Sequence, residues 1–209
     1  MKMTLPYYMI IGILFNALLL GGCGGGSKDS PGVTVSATIT LTYNGVNTTS
    51  VDAVQDTCVS GSSTQAEYFA DHGATVSFSA RLINPGNIIK DMTVSLDRYT
   101  INYSSTADSP GAPPIQADSR EMPLSFLVSG SDTASVETSA TFVDLVRKNK
   151  YLADLQSGVY QSSPGDLNNY TATYTFEGHS ENGVSFEVTA QSTLQIGSFN
   201  YCPAGYNPL

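Results

Sequence analysis

From Val33 to Tyr43 every odd position is apolar and every even one is Ser or Thr. Successive side chains of a strand point to opposite faces, so the segment predicts a strand with one buried and one wet face. The same period returns in Ala74, Val76, Phe78, Ala80 and Leu82, a second strand. It runs into Asn84-Pro85-Gly86-Asn87, a turn in which Pro presets φ and Gly accepts a positive one. The next stretch changes phase: Met92, Val94 and Leu96 share one parity, Tyr99, Ile101 and Tyr103 the other. A strand whose buried face flips around Asp97-Arg98 requires either a bulge there or a crossing from one sheet to its partner.

Residues 105–121 read as a Pro- and Ser-rich loop, after which alternation resumes in Met122, Leu124, Phe126 and Val128 and again in Ala134, Val136, Thr138 and Ala140. A helix is predicted over 142–156, with Leu145, Val146, Leu152 and Ala153 as its apolar face and Arg147, Lys148 and Lys150 on the wet side. An irregular stretch, 157–169, precedes two last strands. Tyr170, Ala172, Tyr174 and Phe176 line one; Val184, Phe186, Val188, Ala190, and then Leu194 and Ile196, line the other. Residues 177–183 close them into a hairpin. Seven or eight short strands with turn signals between them predict an all-β, antiparallel sandwich with one short inserted helix, as a single domain over 33–209.

The first residues follow a different pattern. Met1-Lys2-Met3 is a short positive start, and Tyr7 to Leu20 is almost wholly apolar. That run is shorter than the roughly 20 apolar residues a membrane-spanning helix needs, and it suits the apolar region of a signal peptide. Leu20-Gly21-Gly22-Cys23 follows directly and resembles the lipobox of bacterial lipoproteins. The resemblance implies that residues 1–22 are removed and that Cys23 becomes an acylated N-terminus. It also implies that Gly24, standing where Asp commonly causes inner-membrane retention, favours the outer membrane if the cell is Gram-negative. Residues 23–32, rich in Gly and Ser, then serve as a lipidated flexible tether.

The pattern of residues 33–200 resembles immunoglobulin-like and fibronectin-III-like domains of bacterial envelope proteins. The resemblance is one of strand spacing: the sequence holds no Trp, so the Cys…Trp…Cys core of antibody domains is absent. Three cysteines less the lipidated one leave Cys58 and Cys202. In an exported protein an even remainder suggests a disulfide, the alternative being two free buried thiols.

The formal net charge is −9, and loss of Lys2 makes it more negative by one. Nucleic acid, which needs concentrated Lys and Arg, is thereby excluded as a partner. No nucleophile elbow, zincin, phosphate-loop, Cys-x-x-Cys or calcium-loop pattern occurs, and two scattered histidines with two cysteines make no metal-ligand spacing. No cofactor, metal or catalytic residue is assigned. Asp71-His72-Gly73 reads as turn chemistry before a strand, and His179, between Glu177 and Glu181, as a solvated hairpin tip. Tyr99 with Tyr103, or Tyr170 with Tyr174, fall on single strand faces, where a sugar-stacking platform competes with ordinary packing.

These observations favour a lipid-anchored, extracytoplasmic envelope protein that is a non-enzymatic binding or structural module, contacting another protein or a surface polysaccharide. The alternative is a carbohydrate-binding or carbohydrate-active lipoprotein. Recognition in a sandwich falls to loops held by the frame, so the expected partner contacts are Pro110, Pro113 and Pro114 in one long loop and Arg147, Lys148 and Lys150 in the helix-bearing one.

Overall fold

A computed structural model of the chain describes residues 32–83, 90–163 and 165–209. The signal peptide, Cys23, the tether up to residue 31 and the Asn84-Pro85-Gly86-Asn87 turn lie outside the described residues. The chain is all-β with one helix. Two larger sheets pack face to face, and a small third sheet sits at one end.

The first sheet has the order β2 (Val46–Asn47), β1 (Val33–Tyr43), β6 (His72–Leu82), β9 (Ala134–Val143). The second runs β3 (Ser50–Asp52), β11 (Ser185–Gly197), β10 (Asn168–Ser180), β7 (Asp91–Ser105), β8 (Asp118–Ser129). Pairing is antiparallel throughout both sheets except that β3 lies parallel to the end of β11. The alternation in the sequence sets the register: β1 and β6 pair from Val33↔Leu82 to Thr42↔Gly73, which brings the apolar residues of both onto one face. Phe78 of the first sheet meets Phe176 of the second edge to face, 4.9 Å between centroids, at the middle of the core.

The change of phase in β7 is a bulge. β7 stays in one sheet for 15 residues, and the pairing with both neighbours shifts at Asp97, so Met92, Val94 and Leu96 face the core before it and Tyr99 and Ile101 after it. Gly178 sits opposite this bulge, where a Cβ would run into the Ser95 carbonyl and the Phe186 ring. Pro123 lies on the same bulge in β8, an edge strand, where a missing N–H costs no ladder bond.

A second bulge, in β9 at Phe142, explains the tyrosines. Tyr99 Oη accepts from the Thr141 N–H at 3.1 Å and Tyr174 Oη donates to the Thr141 carbonyl at 3.1 Å. Tyr103 Oη donates to the Phe142 carbonyl. Backbone groups that the bulge takes out of the ladder are thus satisfied by hydroxyls from the facing sheet. Tyr99, Tyr170 and Tyr174 are buried, so the sugar-stacking platform is overturned for both pairs.

The helix α1 (Leu145–Gln156) begins three residues later than expected, because 142 and 143 complete β9. Asp144 caps it, its carboxylate accepting the Arg147 N–H at 2.9 Å. Its buried face is Lys148, Tyr151 and Leu155, and Val146 is 74% exposed, so the expected apolar face is wrong by part of a turn. Partners outside the helix set the rotation: Asn168 donates to Tyr151 Oη at 2.8 Å, and Lys148 Nζ donates to the Ala70 carbonyl at 2.6 Å.

The third sheet, of order β12 (Asn207–Pro208), β4 (Thr57–Ser60), β5 (Ser63–Ala66), comes from a segment with no clear alternation. A disulfide joins Cys58 to Cys202, 144 residues apart in sequence, and ties this sheet to the C-terminal tail.

Candidate functional site

Where β1 ends, β6 begins and α1 packs across them, ionisable side chains are collected in one buried layer. Asp52 (β3), His72 (β6) and Lys148 (α1) are 0% exposed and Glu67, just after β5, is 3% exposed. Tyr43 stacks flat on His72, 3.8 Å between centroids, and Tyr201 of the tail closes edge-on at 4.7 Å from Tyr43.

Each member of this layer is held by a different element. Lys148 Nζ, besides its bond to Ala70, lies 4.9 Å from the Tyr43 centroid and 4.5 Å from that of Phe69, so two aromatic faces take the place of a carboxylate partner. Tyr43 Oη donates to the Tyr68 carbonyl at 2.8 Å and accepts the Ala70 N–H at 3.2 Å. Asp52 Oδ1 accepts from Val54 N–H at 3.3 Å and Phe199 N–H at 3.0 Å. Glu67 accepts from the Asp56 N–H at 3.1 Å and from the Tyr201 N–H. Asp52 Oδ2 and both His72 ring nitrogens are buried with no partner among the described residues.

The electrostatic consequence is a layer tuned toward neutrality. Desolvation raises the Asp52 carboxyl to about 7, against the opposing hydrogen bond from Phe199. Desolvation and then the Lys148 charge lower the His72 imidazole to about 3. Desolvation also lowers the Lys148 ammonium to about 8, although Asp52, Asp71 and Glu67 pull the other way. Groups shifted this far toward neutral pH are the pattern of acid–base sites. Here they are buried, with the tail laid against Tyr43, Asp52 and Glu67 through Phe199 and Tyr201, and Lys148 enclosed by Tyr43, Phe69 and Ala70.

The open grooves lie elsewhere. One, of about 370 Å³, runs between the edge strands β8 and β9 past Tyr99, Met122, Leu124, Thr138 and Ala140. Two others, of about 400 and 320 Å³, flank Asp97 on the outer face of the second sheet. There Asp97 pairs with His179 at 3.0 Å and Arg98 with Glu177 at 3.2 Å, both pairs well exposed. His179 belongs to β10 itself, and the hairpin turn follows it. Among the described residues no group of His, Cys, Asp and Glu could hold a metal ion.

The six expected partner contacts divide. Pro113 is buried, its carbonyl accepting from Tyr170 Oη, and Ser109 and Ile115 are buried beside it, so the Pro-rich loop is fastened to the core rather than held out to a partner. Arg147 is 12% exposed at the side chain, bonded to the Gln116 and Ala117 carbonyls and ion-paired with Asp118 at 3.0 Å and Asp144 at 2.7 Å. Arg120 joins the same two carboxylates from the other side. Lys148 is buried, which corrects its placement on the wet face. Only Pro110, Pro114 and Lys150 remain exposed, and Lys150 pairs with Asp154 at 2.6 Å one turn away. Burial of Lys148 escapes a hydropathy reading because that reading scores the ammonium and ignores the aromatic faces waiting for it. Asp52 and Glu67 carried a faint signal, as lone carboxylates within Val51-Asp52-Ala53 and Ala66-Glu67-Tyr68-Phe69. His72, expected in a turn, is instead the first residue of β6 and wholly buried.

No protein-family model matches the chain, and no curated protein matches it. Among solved structures it is similar to the putative ApaA protein from Bordetella pertussis, at 14% identity and a TM-score of 0.32 over 78% of this chain and 91% of that one. It is also similar to Spo0M, a sporulation control protein from Bacillus subtilis, at 9% identity and a TM-score of 0.31 over 78% of this chain and 50% of that one. Similarities of this size carry neither fold nor function across. What fold and site define is a class: an all-β, disulfide-bonded protein with a buried ionisable layer at one end, against which the C-terminal tail is laid.

Proposed function

We propose that the chain is a lipid-anchored extracytoplasmic envelope protein, held to the membrane through acylated Cys23 and acting as a non-enzymatic binding or structural module for another protein or a surface polymer. The observation that carries this reading is the division of the three cysteines: Cys58 and Cys202 are bridged, and Cys23 alone follows the apolar run and Leu20-Gly21-Gly22. Disulfides persist in oxidising compartments, and one acyl chain anchors marginally whereas two or more hold firmly. The enclosure of the shifted Asp52, His72 and Lys148 supports a scaffold over a catalyst.

The frame is of the immunoglobulin-like kind, and strand order supports this: β1-β6-β9 faces β8-β7-β10-β11, with β10 lying between its hairpin partner β11 and the sequence-distant β7. In the constant-type arrangement the fourth strand joins the first sheet, whereas β8 pairs with β7, as an added strand beside the third does in the variable type. Gly32 enters beside the end of β6, its carbonyl accepting from the Ile83 N–H, and β1 carries the chain about 33 Å at 3.3 Å per residue to the disulfide-bearing end. The third sheet, α1 and the loop over 106–117 thus lie at the end of the frame opposite its entry at Gly32, and if the cell is Gram-negative the outer membrane is the favoured anchor site.

Radioactive palmitate fed to cells making the full chain tests the anchor. Label on the wild type and none on Cys23→Ala, with the variant shifting to an uncleaved or soluble form, is the expected result. Equal labelling of both, or unchanged fractionation of the variant, overturns it.

A further inference from the structure

The long strands β1, β8, β9 and β11 leave backbone groups unpaired along the edges of the two larger sheets. Charges, proline and bulges are the devices that keep such an edge from pairing with another chain. β8 has Glu121, Pro123 and the bulge at Asp97; β9 has Glu137 and the shift at Phe142. β11 has Glu187, and β3 covers its end. β1 has none of these. Its 11 residues hold no charge, proline or glycine, and its ladder with β6 runs from Val33 to Thr42 without a shift. On the other side β2 pairs only with Thr42 and Tyr43.

The free groups can be named. In an antiparallel ladder the N–H and C=O of one residue point to the same side, and those of the next residue to the other. The Gly32 carbonyl accepts from Ile83, on the β6 side, and the Leu41 carbonyl accepts from Thr48, on the side away from β6. Odd residues therefore direct both groups away from β6, and those of Val33, Val35, Ala37 and Ile39 meet no backbone partner among the described residues. Val35, Ala37 and Ile39 face inward, yet they are only half-buried.

We propose that this edge pairs with the same edge of a second copy of the chain, antiparallel over residues 33–39 about a two-fold axis at Ser36. Val33 then meets Ile39, and Val35 meets Ala37, in hydrogen-bonded pairs that form about eight backbone bonds. On the exposed face Thr34 meets Thr38, and Ser36 meets its own counterpart. β2 fixes the register: Thr48 already holds the Leu41 carbonyl, so pairing stops at Ile39, and symmetry about the stretch 33–39 puts the axis at Ser36. Two observations select a second copy over an unrelated strand. The alternation over 33–39 is the same read in either direction, so apolar residues meet apolar ones and hydroxyls meet hydroxyls. Two copies of a chain with net charge −9 repel wherever acidic residues meet, and β1 brings none to the contact. The first sheets of the two copies become one continuous sheet. The pairing uses residues 33–39 and stands whether or not Cys23 carries lipid.

Cysteine cross-linking reads the register. Ser36 is exposed, and facing residues of a non-hydrogen-bonded antiparallel pair stand within disulfide reach. Thr40 is exposed on the same face, but its two copies would be about 27 Å apart at 3.4 Å per residue. The full chain carrying Ser36→Cys, oxidised with copper phenanthroline, should give about tenfold more covalent homodimer than Thr40→Cys does. The unsubstituted chain is run beside them and its own cross-linking through Cys23 subtracted, so a failure of the anchor reading does not count against the pairing. Thr34→Cys chains mixed with Thr38→Cys chains should link to one another. Ala37→Pro removes an N–H that points away from β6 and spares the β6 ladder, so adding it to Ser36→Cys should abolish the link while the circular dichroism of the sheets is kept. Equal linking from Ser36→Cys and Thr40→Cys, or none from Ser36→Cys, overturns the pairing. So does a Ser36→Cys adduct that joins a different protein, or a link that survives Ala37→Pro in a folded chain.

Discussion

Along β6 and β10 every second residue is buried from one end to the other, whereas β4, β5 and β12 together bury a single side chain, that of Cys58. The two larger sheets hold each other because removing a continuous apolar face from water is favourable over its whole area. Asp52, Glu67, His72 and Lys148 are buried at that end, where the tail is held by backbone N–H groups on the Asp52 and Glu67 carboxylates and is joined to the small sheet by a covalent bond. One chain thus uses two kinds of cohesion: in the body the stability is spread over many contacts, and in the cap it rests on a few. Loss of one contact should therefore be global in the body and confined or pH-dependent in the cap.

The largest effect belongs to the body. Phe176 is 0% exposed and meets Phe78, Tyr99 and Tyr174, so Phe176→Ala should cost about 3–5 kcal/mol of unfolding free energy. Urea denaturation followed by circular dichroism measures it; a loss under about 1 kcal/mol would mean that the core does not carry the fold as described.

The buried layer should show itself in pH dependence. His72 titrates near 6.5 when unfolded and near 3 when folded, so the unfolded chain takes up a proton that the native one refuses, and its contribution to stability is lost as pH falls below 6.5. Asp52 runs the other way: raised from 3.8 to about 7, it binds a proton when folded that the unfolded chain lacks, and its contribution is lost as pH rises through 7. Between about pH 6 and 4.5 the two nearly cancel. His72→Phe should then gain stability on acidification and Asp52→Asn should lose it, each by about 1.4 kcal/mol per pH unit relative to the wild type. Parallel profiles for both variants would show that neither group is sealed.

The smallest effect is expected outside both regions. Lys150 is exposed and, among the described residues, pairs with Asp154 on the same helix, so Lys150→Ala should change stability by less than about 0.5 kcal/mol in the same denaturation experiment. A larger loss would place Lys150 in a contact beyond its helix.

Much of the body was legible in the sequence. Period-2 alternation depends on neighbours in the chain, so β1, β6, the phase change at Asp97-Arg98 and the closing hairpin of β10 and β11 could be read locally, as could the two cysteines left for pairing. The faint signal of Asp52 and Glu67 could not be turned into a site. Nothing near Lys148 in sequence announces that Tyr43 and Phe69 wait for its ammonium, or that Tyr99 and Tyr174 are directed at Thr141. The Pro-rich loop looked free because proline and serine say how a segment bends and not what it leans on; Tyr170, 57 residues away, holds Pro113.

By itself, then, the sequence determined the strands, their inward faces and the all-β class, because a half-buried sheet writes a two-residue period into the chain. Tertiary structure alone decided the rotation of α1, the anchoring of the loop over 106–117, and the gathering of Asp52, Glu67, His72 and Lys148 into one buried layer. Those features are balances between desolvation and partners supplied by distant segments, and a balance of that kind exists only once the distant segments have met.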